Sequence, residues 1–298
     1  MKKLILCLLL TGATGHVHAD LNIFACEPEW AALADEIGGD KVDTYSATTA
    51  LQDPHYIQAR PSLISRVRRA DIVICSGAQL EIGWLPLLLT KANNPKVQAG
   101  STGHIFASDY VDKLQIPTNL DRSQGDVHPE GNPHVHTNPH NITIIASVLA
   151  QRMMQLDKQN SNLYQQGLDH FIQRWNDAII KWEDRIKPLK GKKVISHHNS
   201  WPYLLRWLGM EEVANLESTP GIPPSVSYLS NLASQFSSGG ADYIIRTPFQ
   251  NAKSSQWLSE RSGIPMLLLP LTIGGTEKAN NLFSMFDDII DRFVEITK

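Results

Sequence analysis

Histidine and acidic residues recur in this chain where loops follow short apolar runs. His55 comes after the run VDTYS at 42–46, and His198 comes directly after KVIS at 193–196. A third run, VANLE, ends on Glu217. Neutral imidazole is a suitable ligand for Zn, Cu, Fe and Ni, and a carboxylate can complete the coordination shell. The residue types therefore indicate a metal site.

A fourth group of histidines lies in the loop 126–140, which reads DVHPEGNPHVHTNPH and contains His128, His134, His136 and His140. This loop alone could also be a weak, histidine-rich metal antenna or a solvated loop without a bound ion. Asn138 and Pro139 predict the start of a helix, which would place His140 in a first turn. Because His197 adjoins His198, it is a further auxiliary candidate.

Two restraints could hold such ligands still. Proline precedes both His55 and His134, and its ring fixes one backbone dihedral angle in each loop. Asp53 could accept a hydrogen bond from the ring nitrogen of a ligand imidazole that does not bind the metal. His104 and His170, which stand apart from these groups, are expected to be solvated surface residues.

Strand and helix patterns alternate twice along the chain, which predicts an α/β protein with two lobes, each a mainly parallel sheet flanked by helices. We expect the N-terminal lobe at 20–140 and the C-terminal lobe at 191–298. The intervening segment, 141–190, is predicted to be helical. Apolar residues from Leu168 to Ile186 recur at helical spacing, so a long helix from about Asn162 to Lys187 should join the lobes.

Several strands and helices are predicted within the lobes. Predicted strands in the C-terminal lobe include 213–217 and 265–271, and its last helix is predicted at 277–296. In a parallel sheet, ligands bind beyond the carboxyl ends of the strands. The histidine-bearing loops at several strand ends are therefore expected to meet.

Residues 1–19 read as a secretory signal peptide. Two lysines precede an apolar stretch, and Val17-His18-Ala19 resembles a small-residue cleavage site. We therefore expect an exported protein, most consistent with a bacterial periplasm.

Cys26 and Cys75 each end an apolar run that predicts a buried strand. An oxidising compartment would allow a disulfide if those two strands were neighbours. Two buried thiols remain the alternative, since sequence spacing does not determine disulfide geometry.

Composition disfavours other classes of function. The 298 residues include 27 Lys and Arg against 30 Asp and Glu, a net charge of −3. This balance makes nucleic acid an unlikely partner, because phosphate binding needs a basic face. The sequence carries no G-x-x-x-x-G-K-[ST] phosphate loop, so any ATP hydrolysis should belong to a partner.

Four segments carry a resemblance to a known family: DPHYIQARPS at 53–62, GNPHVHTNP at 131–139, SHHNSWPYLLRWLG at 196–209 and LESTPGIPPS at 216–225. The chain resembles the ZnuA- and TroA-like metal-binding solute receptors of ABC transporters over about 20–298. The resemblance implies two α/β lobes joined by one rigid helix, with the metal between them. It also implies a monomer that delivers its ion to an ABC permease and the permease's ATPase in the inner membrane.

Residue by residue, the resemblance places the family's histidine ligands at His55, His134 and His198. His198 is preferred to its neighbour because Trp201 and Tyr203 follow it at the family spacing. The usual fourth ligand is an aspartate near the last strand, where this chain has Pro270. Glu217 is the expected substitute, with water, His128 or His136 as alternatives.

A set of three imidazoles and one carboxylate favours Zn(II) over Mn(II) by the Irving–Williams order. We therefore expect one tight Zn(II) site and a role in high-affinity zinc uptake, not catalysis. The alternatives are a receptor for Mn(II) or another metal, and a periplasmic metallochaperone or adhesin of this fold. If the protein is a receptor, a separate periplasmic metallochaperone is a further expected partner besides the permease. A zinc hydrolase is disfavoured, because the H-E-x-x-H and G-x-S-x-G motifs are absent.

Overall fold

A computed structural model describes residues 21–118 and 125–297. The predicted signal peptide, residues 1–19, lies outside the described residues. The described chain forms two sheets of four parallel strands, flanked by helices. The predicted α/β fold with two lobes is thus confirmed.

The N-terminal lobe contains β1 (Leu21–Ala25), β2 (Val42–Ser46), β3 (Ile72–Cys75) and β4 (His104–Phe106), in the order β2-β1-β3-β4. Its helices are α1 (Pro28–Gly38), α2 (Pro61–Arg69) and α3 (Leu85–Ala92). Alternate residues of a strand face opposite sides of a sheet. Ile23 accordingly packs in the cluster that contains α1, whereas Phe24 packs in the cluster that contains α2 and α3.

One expectation for this lobe was wrong. His104 is not a solvated side chain but part of β4, which pairs with β3. Its Nδ1 atom lies 3.0 Å from the carbonyl oxygen of Val97, and its ring packs edge-on against Phe106. A three-residue strand is too short to show an alternating pattern, so the sequence did not reveal it.

The C-terminal lobe contains β5 (Lys193–Ser196), β6 (Glu211–Asn215), β7 (Tyr243–Arg246) and β8 (Met266–Leu268). Their order, β6-β5-β7-β8, repeats that of the first sheet. The helices are α6 (Pro202–Leu208), α7 (Val226–Phe236), α8 (Ala252–Ser262) and α9 (Leu282–Thr297). Because β6 ends at Asn215, Glu217 lies in the following loop and not on the strand as predicted.

Two consecutive helices, α4 (Pro139–Leu156) and α5 (Ser161–Arg185), connect the sheets. The apolar face of α5 is buried from Tyr164 to Trp182. Gly167 allows α5 to pass close to α1, since an added Cβ would lie 2.1 Å from the carbonyl oxygen of Ile37. At its other end, Trp182 donates to Asp287 of α9 at 2.8 Å. The long helix therefore contacts both lobes and fixes their relative position.

Cys26 and Cys75 form a disulfide, with their Cα atoms 4.8 Å apart. The two cysteines are close because β1 and β3 are paired neighbours in the first sheet. Both lie in the apolar cluster with Leu63 and Trp84. Within the described ranges, no helix has the length and apolar character that crossing a bilayer requires.

Candidate metal centre

Three imidazoles meet in the cleft between the lobes. His55 lies in the loop after β2, His134 lies just before α4, and His198 follows β5. One potential ligand atom from each ring lies within 4.8 Å of those of the other two. The adjoining cavity has a volume of about 410 Å³ and is lined from both lobes. The arrangement has the size and the ligand types of a single-ion site.

The loop that carries His55 is held from two sides. The Pro54 carbonyl accepts a hydrogen bond from the indole of Trp84 at 2.8 Å. Asp53 Oδ1 accepts from the His55 backbone N–H at 3.0 Å and lies 2.7 Å from His55 Nδ1. Burial raises the pKa of Asp53, but the hydrogen bonds and charge of His55 hold it below its usual value. With Nδ1 thus occupied, Nε2 is presented to the cleft.

His134 is buried, and its Nε2 has no hydrogen-bond partner among the described residues. Its backbone N–H donates to Asn132 Oδ1 at 3.0 Å, and the Asn132 carbonyl accepts from Tyr203 at 2.8 Å. Burial, followed by the charges of nearby histidines, lowers the pKa of His134 well below its ordinary value. Leaving a buried polar atom unpaired is costly, so a neutral imidazole held this way fits a site for a cation.

His198 is oriented by a carboxylate. Its Nδ1 lies 2.7 Å from Glu217 Oε2, and the same oxygen accepts from the Gly221 backbone N–H at 2.7 Å. Glu217 is outside the group of three imidazoles that could share an ion. Its role as fourth ligand stays a prediction from the sequence. A carboxylate behind a metal-binding histidine fixes the tautomer and raises its basicity.

A fourth imidazole adjoins the group. His128 Nε2 lies 3.1 Å from His55 Nε2, and His128 Nδ1 lies 3.1 Å from the Ala78 carbonyl oxygen. Burial, and then the charge of His55, lowers the pKa of His128 to about 3. His128 is therefore neutral at physiological pH.

The other auxiliary candidates are engaged elsewhere. His136 Nε2 donates to the Leu271 carbonyl at 2.8 Å, and its Nδ1 lies 3.2 Å from Glu29 Oε1. His140 is exposed and pairs with Glu183. The structure does not bring either residue into the group.

His197 lines the same cavity but faces another partner. Its Nδ1 lies 2.8 Å from Ser255 Oγ, and its Nε2 lies 3.8 Å from Glu217 Oε1. Burial lowers its pKa.

Two buried carboxyl groups of the N-terminal lobe were missed by sequence reasoning. Glu27 and Glu81 both approach the backbone N–H of Ser76, at 3.2 Å and 2.9 Å. Burial raises the pKa of Glu81 to about 7 and that of Glu27 well above its ordinary value. Acidic residues are rarely fully buried, so the default expectation from the sequence is that Glu27 and Glu81 are exposed.

Comparison with known proteins identifies the family. Residues 23–296 match the family described as ZnuA, zinc-uptake complex component A, periplasmic. The chain belongs to the ZnuA family. This membership confirms the resemblance found in the sequence and agrees with the three converging histidines.

Curated relatives of this ZnuA-family chain carry metal-transport names. The manganese ABC transporter substrate-binding lipoprotein PsaA of Streptococcus pneumoniae is 23% identical over 195 residues, covering 64% of this chain and 60% of the relative. The metal ABC transporter substrate-binding lipoprotein SsaB of Streptococcus sanguinis is 26% identical, covering 61% and 58%. The match thus spans less than two thirds of either relative's length.

Solved structures agree with the fold. A crystal structure of ZnuA superimposes with a TM-score of 0.78 at 19% identity, covering 94% of this chain and 100% of that one. A Mn-bound periplasmic metal-binding protein from Candidatus Liberibacter asiaticus gives a TM-score of 0.73 at 16% identity, covering 93% and 99%. These TM-scores show a shared fold.

Proposed function

We propose that this protein captures Zn(II) in the cleft and delivers it to an ABC permease for zinc uptake. The observation that carries the proposal is the buried, unpartnered Nε2 of His134, which belongs to the same group as His55 and His198. Three imidazoles at the mouth of a cavity between two lobes form a site for a small cation.

Manganese is the main alternative, and the curated relatives favour it, since PsaA is named as a manganese protein. The ligand chemistry supports zinc. Mn(II) suits carboxylate, carbonyl and water oxygens, whereas imidazole nitrogen suits Zn(II), which also binds more tightly in the Irving–Williams order. In this chain both neighbouring carboxylates, Asp53 and Glu217, point at imidazole Nδ1 atoms.

The proposed location is the periplasm, supported by the signal-peptide pattern at 1–19, the Cys26–Cys75 disulfide and the family description. The proposed partners are a membrane permease and its ATPase, since the sequence has no phosphate-binding loop of its own. The family name describes an uptake component, which supports a receptor and not an enzyme.

A competition titration tests the choice of metal. The metal-free mature chain is titrated with Zn(II) and with Mn(II) against a chromogenic chelator. One Zn(II) bound at nanomolar strength or tighter, with Mn(II) far weaker, is the expected result. Equal or tighter binding of Mn(II) would support the manganese alternative, and several weak zinc ions would reject a receptor site.

A second experiment separates uptake from storage or chaperoning. A strain that lacks the gene is grown in chelator-treated medium, and its accumulation of zinc is measured. A receptor for a permease should be required for uptake under these conditions. Normal uptake in the deletion strain would favour a metallochaperone of the same fold.

A further inference from the structure

We propose that His128 is the fourth ligand, so that the ion is held by four imidazole Nε2 atoms, from His55, His128, His134 and His198. The inference rests on the proposed function, because it completes the same site. It replaces the carboxylate expected from the sequence with a residue of the loop 126–140.

Hydrogen bonds determine the tautomer of His128. A backbone carbonyl can only accept, so His128 Nδ1, 3.1 Å from the oxygen of Ala78, must carry a proton. Its neutral ring then has a bare lone pair on Nε2. His55 is arranged in the same way, since its Nδ1 donates to the carboxylate of Asp53 at 2.7 Å.

The two bare Nε2 atoms face each other at 3.1 Å. When both rings are neutral, two lone pairs at this distance repel one another unless a proton or a metal ion lies between them. Zn–N bonds of 2.0–2.1 Å in a tetrahedral site place two ligand nitrogens about 3.3–3.4 Å apart. The observed separation is close to this value, so His55 and His128 can share one ion. His128 is not in the group of three imidazoles whose ligand atoms lie within 4.8 Å of one another, so binding by all four requires its ring to approach those of His134 and His198.

Charge balance supports a site made of imidazoles. Four neutral ligands leave both positive charges of the ion in place, and a buried charge needs compensation. Two carboxylates contact the Nδ1 atoms of the proposed ligands: Asp53 contacts His55, and Glu217 contacts His198. Together they supply two negative charges without entering the coordination shell, which leaves room for His128.

The segment that carries His128 is anchored to both lobes. The Asp126 N–H donates to the Pro220 carbonyl at 3.0 Å, and the Tyr56 hydroxyl donates to the Asp126 carboxylate at 2.8 Å. Gly125 has a φ angle of 81°, and an added Cβ would lie 2.1 Å from the Pro220 oxygen. Because Asp126 is hydrogen-bonded to residues on both sides of the cleft, the position of the nearby His128 is restrained.

X-ray absorption at the zinc edge, together with the chelator competition, tests this assignment. The wild-type protein loaded with one Zn(II) should show four imidazole ligands. His128→Ala should show three imidazoles and bind Zn(II) at least tenfold more weakly. His140→Ala is the matched control, since His140 is an exposed histidine outside the group, and it should leave both readouts unchanged.

The outcomes separate the two proposals. If the wild-type protein has no tight zinc site, the proposed function fails. If the wild-type protein binds zinc tightly but shows only three imidazoles, the assignment of His128 is overturned and the proposed function stands. An unchanged ligand count and affinity in His128→Ala would also overturn it. The wild-type ligand count decides the matter even if the variant folds poorly, which circular dichroism would reveal.

Discussion

Glu217 Oε2 lies 2.7 Å from His198 Nδ1, with the same oxygen bound to the backbone N–H of Gly221. The carboxylate thus orients the imidazole of His198, which we propose as a metal ligand, and places negative charge beside the proposed site. Such orienting partners are worth about 10- to 100-fold in metal affinity.

We therefore predict that Glu217→Gln lowers zinc affinity about tenfold without removing a ligand. A glutamine oxygen can still accept from His198 Nδ1, but the negative charge is lost. The chelator competition measures the affinity, and X-ray absorption counts the ligands. Glu211→Gln is a matched control on the exposed surface of β6. Loss of an oxygen ligand in Glu217→Gln would instead show that Glu217 binds the ion directly.

His134→Ala should weaken zinc binding by more than Glu217→Gln does, because it removes a ligand and not an orienting group. A loss of at least about tenfold is expected. His55→Ala and His198→Ala should behave similarly. His170, which is exposed on α5, supplies the control, and His170→Ala should bind zinc like the wild-type protein. Equal losses in all four variants would contradict the site.

The buried pair of Glu27 and Glu81 predicts an effect of pH on stability. The pKa of Glu81 is raised to about 7 from 4.5, so between these values the folded state binds more protons than the unfolded state. Its contribution to stability is complete below pH 4.5 and is lost as the pH rises through about 7. Ionisation of Glu81 beside Glu27 thus destabilises the metal-free protein at alkaline pH.

Glu81→Gln removes this ionisation. Its amide can donate to Glu27 while its oxygen still accepts from Ser76. We expect the melting temperature of the variant, relative to wild type, to increase by a few degrees between pH 5 and pH 8. Thermal unfolding monitored by circular dichroism in the presence of a chelator measures this difference. A difference that is independent of pH would contradict the raised pKa.

The Cys26–Cys75 disulfide closes a loop between residues 49 positions apart. The chain-entropy relation gives a stabilisation of about 4 kcal/mol for a loop of this length. The double variant Cys26→Ala/Cys75→Ala should therefore unfold at lower denaturant concentration than the oxidised wild-type protein. Reductant should destabilise the wild-type protein and leave the double variant unchanged. Equal sensitivity of both proteins to reductant would argue against the disulfide.

The sequence was informative where a physical pattern is long or local. Apolar residues at helical spacing predicted α5 to within two residues at its end, Arg185 against Lys187. The pair Asn138 and Pro139 predicted the start of α4, where the Asn138 side chain accepts from the His140 N–H. By contrast, β4 has three residues and carries no periodic signal, so it was missed.

Residue types indicated a histidine-based metal site in the sequence, and the family resemblance selected His55, His134 and His198, which the structure brings together. Tertiary structure decided the role of each group. His55 and His128 are 73 residues apart in the chain, yet their Nε2 atoms face each other. His136 stands two residues from His134 but turns to the Leu271 carbonyl, and Glu217 lies behind His198. Which ring nitrogen faces the cleft depends on hydrogen bonds to distant backbone and carboxylate oxygens, and only the packing of the two lobes brings those atoms together.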